Sequence, residues 1–249
     1  MNRWGKRRCI SCQAAPMSKA SVLCQPCHDI ALKMAPVIIE VPKDHENYKS
    51  VKKQFTRSWR HDTTCPKVKR VYKIIVTEAS LNQYQVYLDS VEARGDFLAT
   101  GKSRGNENRR WHGTKRRCCI GDKGTTKICT NSRCSLCRII QNSFDITLSK
   151  KATGWGRFGA GIYTSSTSSK SNDYSKNRGI NSNWKALLLN KVVVGNGKKV
   201  TKNKTSLTEP PEGYDSVVAV PGGSLNYDEL VVYKNEAIRP SYLVMYKKP

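Results

Sequence analysis

RFGAGIYTSSTSSKSNDY, residues 157–174, is the stretch around which the rest of the chain is organised. Gly156, Gly159 and Gly161 crowd the approach to Ile162 and Tyr163, which begin a strand. Glycine lacks Cβ and lets backbone come close to a ligand, so Tyr163 is expected at a ligand surface. A serine-rich turn follows, and then Ser171 and Tyr174 stand three apart. On a helix, positions i and i+3 share a face, so a hydroxyl and an aromatic ring would enter the same space. The stretch reads as the wall of a pocket for a flat, polar ring.

Downstream, Trp184–Val194 (WKALLLNKVVV) is a mostly apolar run of the kind a buried central strand shows. A basic loop spans Gly195–Pro211. Strands are expected at Val217–Val220, Leu230–Tyr233 and Tyr242–Tyr246. Upstream, Val71–Val76 reads as a strand and Val37–Val41 as extended. Tyr48, Val51, Phe55 and Trp59 form a helical stripe behind Asp44 as N-cap. Leu81, Tyr84, Leu88 and Val91 form another behind Ser80, and Asp29–Met34 is expected to be a short helix. Gly101–Arg110 is a polar loop leading into Trp111-His112-Gly113-Thr114. Helices early and strands late make an α+β fold. Gly154–Gly159 spells G-x-G-x-x-G, but no strand precedes it and no helix starts within it, so a dinucleotide-binding turn is rejected.

Ten cysteines fall mostly in two groups. Cys9/Cys12 and Cys24/Cys27 are C-x-x-C pairs, and four thiolates from two such knuckles complete a tetrahedral Zn²⁺ site. Cys24-Gln-Pro-Cys27-His28 also matches a haem-attachment motif, which would leave the other pair unexplained. The second group is Cys118, Cys119, Cys129, Cys134 and Cys137. Cys134/Cys137 is a knuckle, and Cys119 with Cys129 is the preferred completion of a second structural zinc site, with Cys118 open as the alternative to Cys119. Cys65 stands alone. The N-terminus is basic (Lys6, Arg7, Arg8, with Trp4 beside them) but lacks an apolar core, so no secretory signal is expected; metal ligation is favoured over disulfides. The expected setting is nuclear or cytoplasmic.

The chain has 249 residues and a formal net charge of +25, enough for one full domain and a small module. Such a charge attracts polyanions. No run approaches ~18 apolar residues, so no membrane partner is expected.

WHGT, the 157–174 stretch and Leu225–Val244 together, in that order, resemble the catalytic domain of the poly(ADP-ribose) polymerase family. The resemblance runs from about Val37 to Lys247. It implies an ADP-ribosyltransferase fold of split antiparallel β-sheets with flanking helices, preceded by a Cys₄ knuckle. Domains are then expected at residues 1–35 and 36–249, with a cysteine-rich insertion at about 116–138. It also implies a His-Tyr-Glu catalytic triad at His112, Tyr163 and Glu229. NAD⁺ as substrate would contact His112, Gly113, Tyr163, Ser171 and Tyr174. The enzyme would cleave the nicotinamide N-glycosidic bond and pass ADP-ribose to a protein or nucleic-acid acceptor, acting as a monomer. The rival readings are an NAD glycohydrolase and a zinc-containing nucleic-acid binder with an inactive transferase fold. No stretch is long enough for a large helical regulatory subdomain.

Overall fold

In a computed structural model describing residues 8–18, 21–148, 156–222 and 225–248, two sheets share the work of the core. Along the chain come α1 (Gln25–Lys33), β1 (Val37–Glu40), α2 (Glu46–Arg57), β2 (Val68–Ile75) and α3 (Glu78–Gly95). Then follow β3 (Glu107–His112), β4 (Lys115–Arg116), α4 (Ser135–Asn142), β5 (Ile162–Thr164), α5 (Ser168–Tyr174) and β6 (Lys176–Asn177). The last strands are β7 (Trp184–Val193), β8 (Gly197–Val200), β9 (Ser216–Ala219), β10 (Glu229–Val232) and β11 (Ile238–Lys247). Trp4, Lys6, Arg7, Gly154 and Trp155, which figure in the sequence reading, lie outside the described residues.

The larger sheet has the order β1-β2-β11-β7-β3 and is antiparallel throughout. The smaller sheet is β5-β10-β9-β8, antiparallel except for the parallel β8–β9 pair. The apolar run at Trp184–Val193 lies between β11 and β3, and its Leu187, Leu188 and Leu189 are wholly buried, as two covered faces require. One face of the larger sheet packs Ile74, Leu188, Leu243 and Met245 against Leu230, Val232 and Ile162 of the smaller sheet and against α4. The opposite face packs Val71, Trp111, Leu189 and Val244 against Tyr48, Val51 and Phe55 of α2. Val22, Leu23 and Ala31 of the N-terminal knuckle join that second cluster, so the knuckle shares a core with the sheet.

The helical stripes are where their spacing puts them, except that Trp59 lies beyond the end of α2, and the caps differ. His45, not Asp44, caps α2, its Nδ1 accepting from the Asn47 N–H at 3.1 Å. Thr77, not Ser80, caps α3, its hydroxyl accepting from the Ser80 N–H. His45 stands one position later and Thr77 three positions earlier than the expected cap, and each reaches a free N–H group of its helix's first turn. Two loops also contain strands: β3 takes the end of Gly101–Arg110, and β8 the start of Gly195–Pro211. Their charged residues are partly buried on β3 and partly buried or exposed on β8.

Candidate active site

The two sheets are joined where β3 ends. Trp111 and Ser165 exchange backbone hydrogen bonds of 2.8 and 3.1 Å, which carries β3 across to the end of β5. Phe55 packs edge-on against the Trp111 ring at 5.7 Å, and the indole N–H donates to the Ser58 hydroxyl at 3.0 Å. The next residue, His112, is thereby held at the seam.

His112 Nδ1 lies 2.9 Å from the Tyr163 carbonyl oxygen. A carbonyl only accepts, so Nδ1 carries the proton and Nε2 is the acceptor in the neutral ring. Burial favours that neutral ring and pushes the His112 pKa below its usual value. Phe144 fixes the ring orientation edge-on at 5.1 Å.

Gly113 follows. A Cβ there would meet the Ser171 carbonyl oxygen at 1.8 Å, so β3 and α5 touch backbone to backbone. Nothing larger than glycine fits. This contact brings Gly113 and Ser171 together, as the sequence pairing required.

The serine-rich turn is an anchoring device. Ser168 donates to the Phe55 carbonyl at 2.8 Å, and the Ser169 hydroxyl accepts from the Arg60 and His61 N–H groups at 2.9 and 3.1 Å. Asp228 accepts from the hydroxyls of Ser165 and Ser166 at 2.9 and 2.7 Å and from the Ser166 N–H at 2.9 Å. Asn172 accepts from Lys185 at 2.5 Å and from the Tyr246 hydroxyl at 3.0 Å. Ser175 donates to the Ala186 carbonyl at 2.7 Å. With these neighbours fixed, α5 has little freedom, and half-exposed Tyr174 projects from its last turn.

Tyr163 is also fixed. Its hydroxyl accepts from the Phe158 N–H and donates to the Gly159 carbonyl, both at 2.9 Å. The glycines have a different purpose from the one their spacing suggested. A Cβ on Gly156 would meet the Tyr163 hydroxyl at 2.9 Å, one on Gly159 the Leu207 carbonyl at 1.8 Å, and one on Gly161 the Val231 side chain at 2.2 Å. They admit protein rather than ligand. Gly159 also has φ +72°, a conformation that disfavours any side chain.

Glu229 begins β10. Val231, two positions on and so on the same face, pairs with Tyr163. Glu229 is buried; its Oε1 is 2.7 Å from the Lys170 ammonium, and its Oε2 is buried without a hydrogen-bond partner among the described residues. Lys170 is held in turn by the Tyr227 and Asp228 carbonyls at 3.3 and 3.2 Å. Burial, reinforced by the Glu229 charge, raises the pKa of Tyr174; it raises that of Tyr163 to about 12, with Glu229 again adding to the effect. His112, Gly113, Tyr163, Ser171, Tyr174 and Glu229 therefore converge on one seam.

Residues 130–222 match the sequence model of the poly(ADP-ribose) polymerase (PARP) catalytic domain. Over that span the chain is similar to the PARP-family catalytic domain. The matched span contains Tyr163, Ser171 and Tyr174; His112, Gly113 and Glu229 flank it. The chain is 34% identical over 102 residues to the human protein mono-ADP-ribosyltransferase PARP4, a match covering 39% of this chain and 6% of that protein. The mouse PARP4 is also 34% identical over 102 residues, covering 39% and 5%. The chain thus matches a small part of much longer relatives.

Two thiol clusters accompany the seam. Cys9, Cys12, Cys24 and Cys27 place their sulfurs within 4.8 Å of one another, and so do Cys118, Cys129, Cys134 and Cys137. Four thiolates at about 2.3 Å from one ion need such a spacing. The fourth member of the second cluster is Cys118 rather than the expected Cys119. Cys118 Sγ is 3.5 Å from Cys137 Sγ and 3.9 Å from Cys134 Sγ, whereas Cys119 is exposed. Hydrogen bonds from the Cys118 and Cys137 thiols push Cys134 well below the usual thiol range, toward the ligating thiolate.

Sequence reading missed Lys170 and Asp228. Both adjoin residues that it named, Ser171 and Glu229, but their value depends on contacts across 57 to 63 positions of chain.

Among the described residues, no helix is long and apolar enough to cross a membrane.

Proposed function

We propose that this chain is an ADP-ribosyltransferase that cleaves the nicotinamide–ribose bond of NAD⁺ and passes ADP-ribose to a protein or nucleic-acid acceptor. The observation that carries the reading is the buried Oε2 of Glu229, unsatisfied among the described residues, beside a Lys170-held Oε1. A buried acceptor without a donor is costly, and a ligand hydroxyl is the natural partner. The residue roles follow from their chemistry. Gly113 backbone and the Ser171 hydroxyl hold the nicotinamide carboxamide, and Tyr163 and Tyr174 stack on the ring. His112 Nε2 accepts from a ribose hydroxyl of the adenosine half.

As the C1′–N bond breaks, its electron pair leaves with neutral nicotinamide, and C1′ becomes oxocarbenium-like. Glu229 accepts from the 2′-hydroxyl of that ribose, and its negative charge favours the transition state over the ground state. The acceptor nucleophile forms the new bond to C1′ and gives up its proton to Glu229 or solvent. Lys170 orients the carboxylate. Both Cys₄ clusters, in this reading, hold structural Zn²⁺: four thiols at suitable spacing suit a closed site. The second cluster begins five residues after Gly113, so its ion would brace the nicotinamide end of the pocket.

The test is incubation with NAD⁺ labelled in its adenosine half, plus protein, DNA and RNA acceptors. Label should appear on a macromolecule in step with nicotinamide release. Label found only in free ADP-ribose would make the enzyme a glycohydrolase, and no release at all would leave a binding fold.

A further inference from the structure

The face of the larger sheet turned away from His112 carries a second concentration of chemistry. Along β3 the side chains alternate: Arg110 and His112 face the seam with the smaller sheet, while Glu107, Arg109 and Trp111 face α2 and α3. Arg109 pairs across the ladder with Lys191, and Lys191 with Arg239. Lys73 pairs with Tyr242 on the same side. Lys73, Arg109, Lys191 and Arg239 come from four different strands, and each is half-buried.

Among the described residues one carboxylate, Glu107, faces these four cations. It is 2.7 Å from the Lys191 ammonium and accepts from the Tyr84 hydroxyl at 2.6 Å. Aromatic rings support the other cations from below: Lys73 lies 4.9 Å from the Tyr242 ring centre and Arg239 4.9 Å from that of Tyr84. Beyond that, among the described residues, Lys73 donates only to the Ser241 hydroxyl at 3.3 Å, and Arg109 Nη1 to that of Ser50 at 3.1 Å. The remaining buried donors, Nε and Nη2 of Arg109 and Nε of Arg239, have no acceptor among the described residues. Burial and the neighbouring cations press the Lys73 pKa well below its usual value despite Glu107, in keeping with four cations facing one carboxylate.

Buried guanidinium donors without acceptors are unfavourable unless a ligand supplies oxygens. A phosphate matches the requirement: it is anionic, offers several acceptor oxygens and suits the planar fork of an arginine. We infer that the groove between α2 and α3, floored by Lys73, Arg109, Lys191 and Arg239, is a phosphate-binding site separate from the catalytic seam. The phosphate could belong to a free compound or to a nucleic-acid backbone. The inference stands whether or not the seam cleaves NAD⁺.

The test uses the full chain and two probes, inorganic pyrophosphate followed by calorimetry and a short labelled single-stranded oligonucleotide followed by anisotropy. Lys191→Gln/Arg239→Gln is compared with wild type and with Lys198→Gln/Lys199→Gln on β8, which removes equal charge elsewhere. The groove variant should lose about tenfold in affinity for at least one probe, while the β8 variant changes by less than about twofold. Groove-dependent binding of pyrophosphate identifies a free phosphate compound as sufficient; groove-dependent binding of the oligonucleotide alone identifies a nucleic-acid backbone. Equal losses in the two variants, or no loss in the groove variant, would overturn the inference. If the double variant does not fold by circular dichroism, Arg109→Lys replaces it. That change keeps the charge and removes the fork, so undiminished binding would likewise overturn the site.

Discussion

Replacing Lys170 by methionine tests how Glu229 is held. The ion pair is 2.7 Å long and its side chains are only 14% and 10% exposed, so solvent screens it weakly. Removing one partner of a buried pair costs about 3–5 kcal/mol, because the remaining charge is left uncompensated. The small residual exposure favours the lower end, about 3 kcal/mol. The Tyr227 and Asp228 carbonyls also lose their donor. For a chain of this size, about 2–4 °C of Tm accompanies each kcal/mol, so Lys170→Met should melt roughly 6–12 °C below wild type. Lys170→Met/Glu229→Gln removes both charges and should recover much of that loss, giving a coupling energy of about 2 kcal/mol or more in a double-mutant cycle. The assay is denaturant unfolding of the four proteins, with nicotinamide release measured on the folded samples. Strict additivity, or a loss below about 1 kcal/mol for Lys170→Met, would show that Glu229 is solvated and not held by Lys170.

Other consequences are checked separately. Gly113→Ala drives a methyl group into the Ser171 carbonyl, and should destabilise by about 2 kcal/mol or more and abolish NAD⁺ cleavage, read by unfolding and turnover. Elemental analysis should find two zinc ions per chain, one after Cys118→Ser, and still two after Cys119→Ser. His112 should be neutral at pH 7, its pKa lying below the usual 6.5. As pH falls through that folded value, protonation turns Nε2 from acceptor to donor, and the KM for NAD⁺ should rise up to about tenfold per pH unit. The unfolded chain takes up this proton first, so stability should also decline below pH 6.5; His112→Gln should flatten both trends.

Much of this arrangement was legible in local pattern. The i, i+3, i+4 stripes of α2 and α3 and the apolar run of β7 report burial directly, because period and burial are linked. Caps were less legible: Asp44, His45 and Ser80, Thr77 are neighbouring candidates, and only backbone geometry chooses between them. The choice of Cys118 over Cys119 has the same origin. Adjacent side chains point apart, and sequence alone does not say which one faces α4. The roles of Lys170 and Asp228 were hidden for another reason. A lysine in a serine run and an aspartate before a strand look like solvated charges until β10 is laid beside β5.

The central claim is that Glu229 stabilises the ribosyl cation. Its most direct test is single-turnover nicotinamide release by Glu229→Gln, alongside equilibrium NAD⁺ binding. The amide keeps the size of the side chain and removes the charge that the transition state needs. Release should slow by about 10² or more while the Kd changes by less than about threefold. Release at the wild-type rate by a folded Glu229→Gln protein would contradict the account.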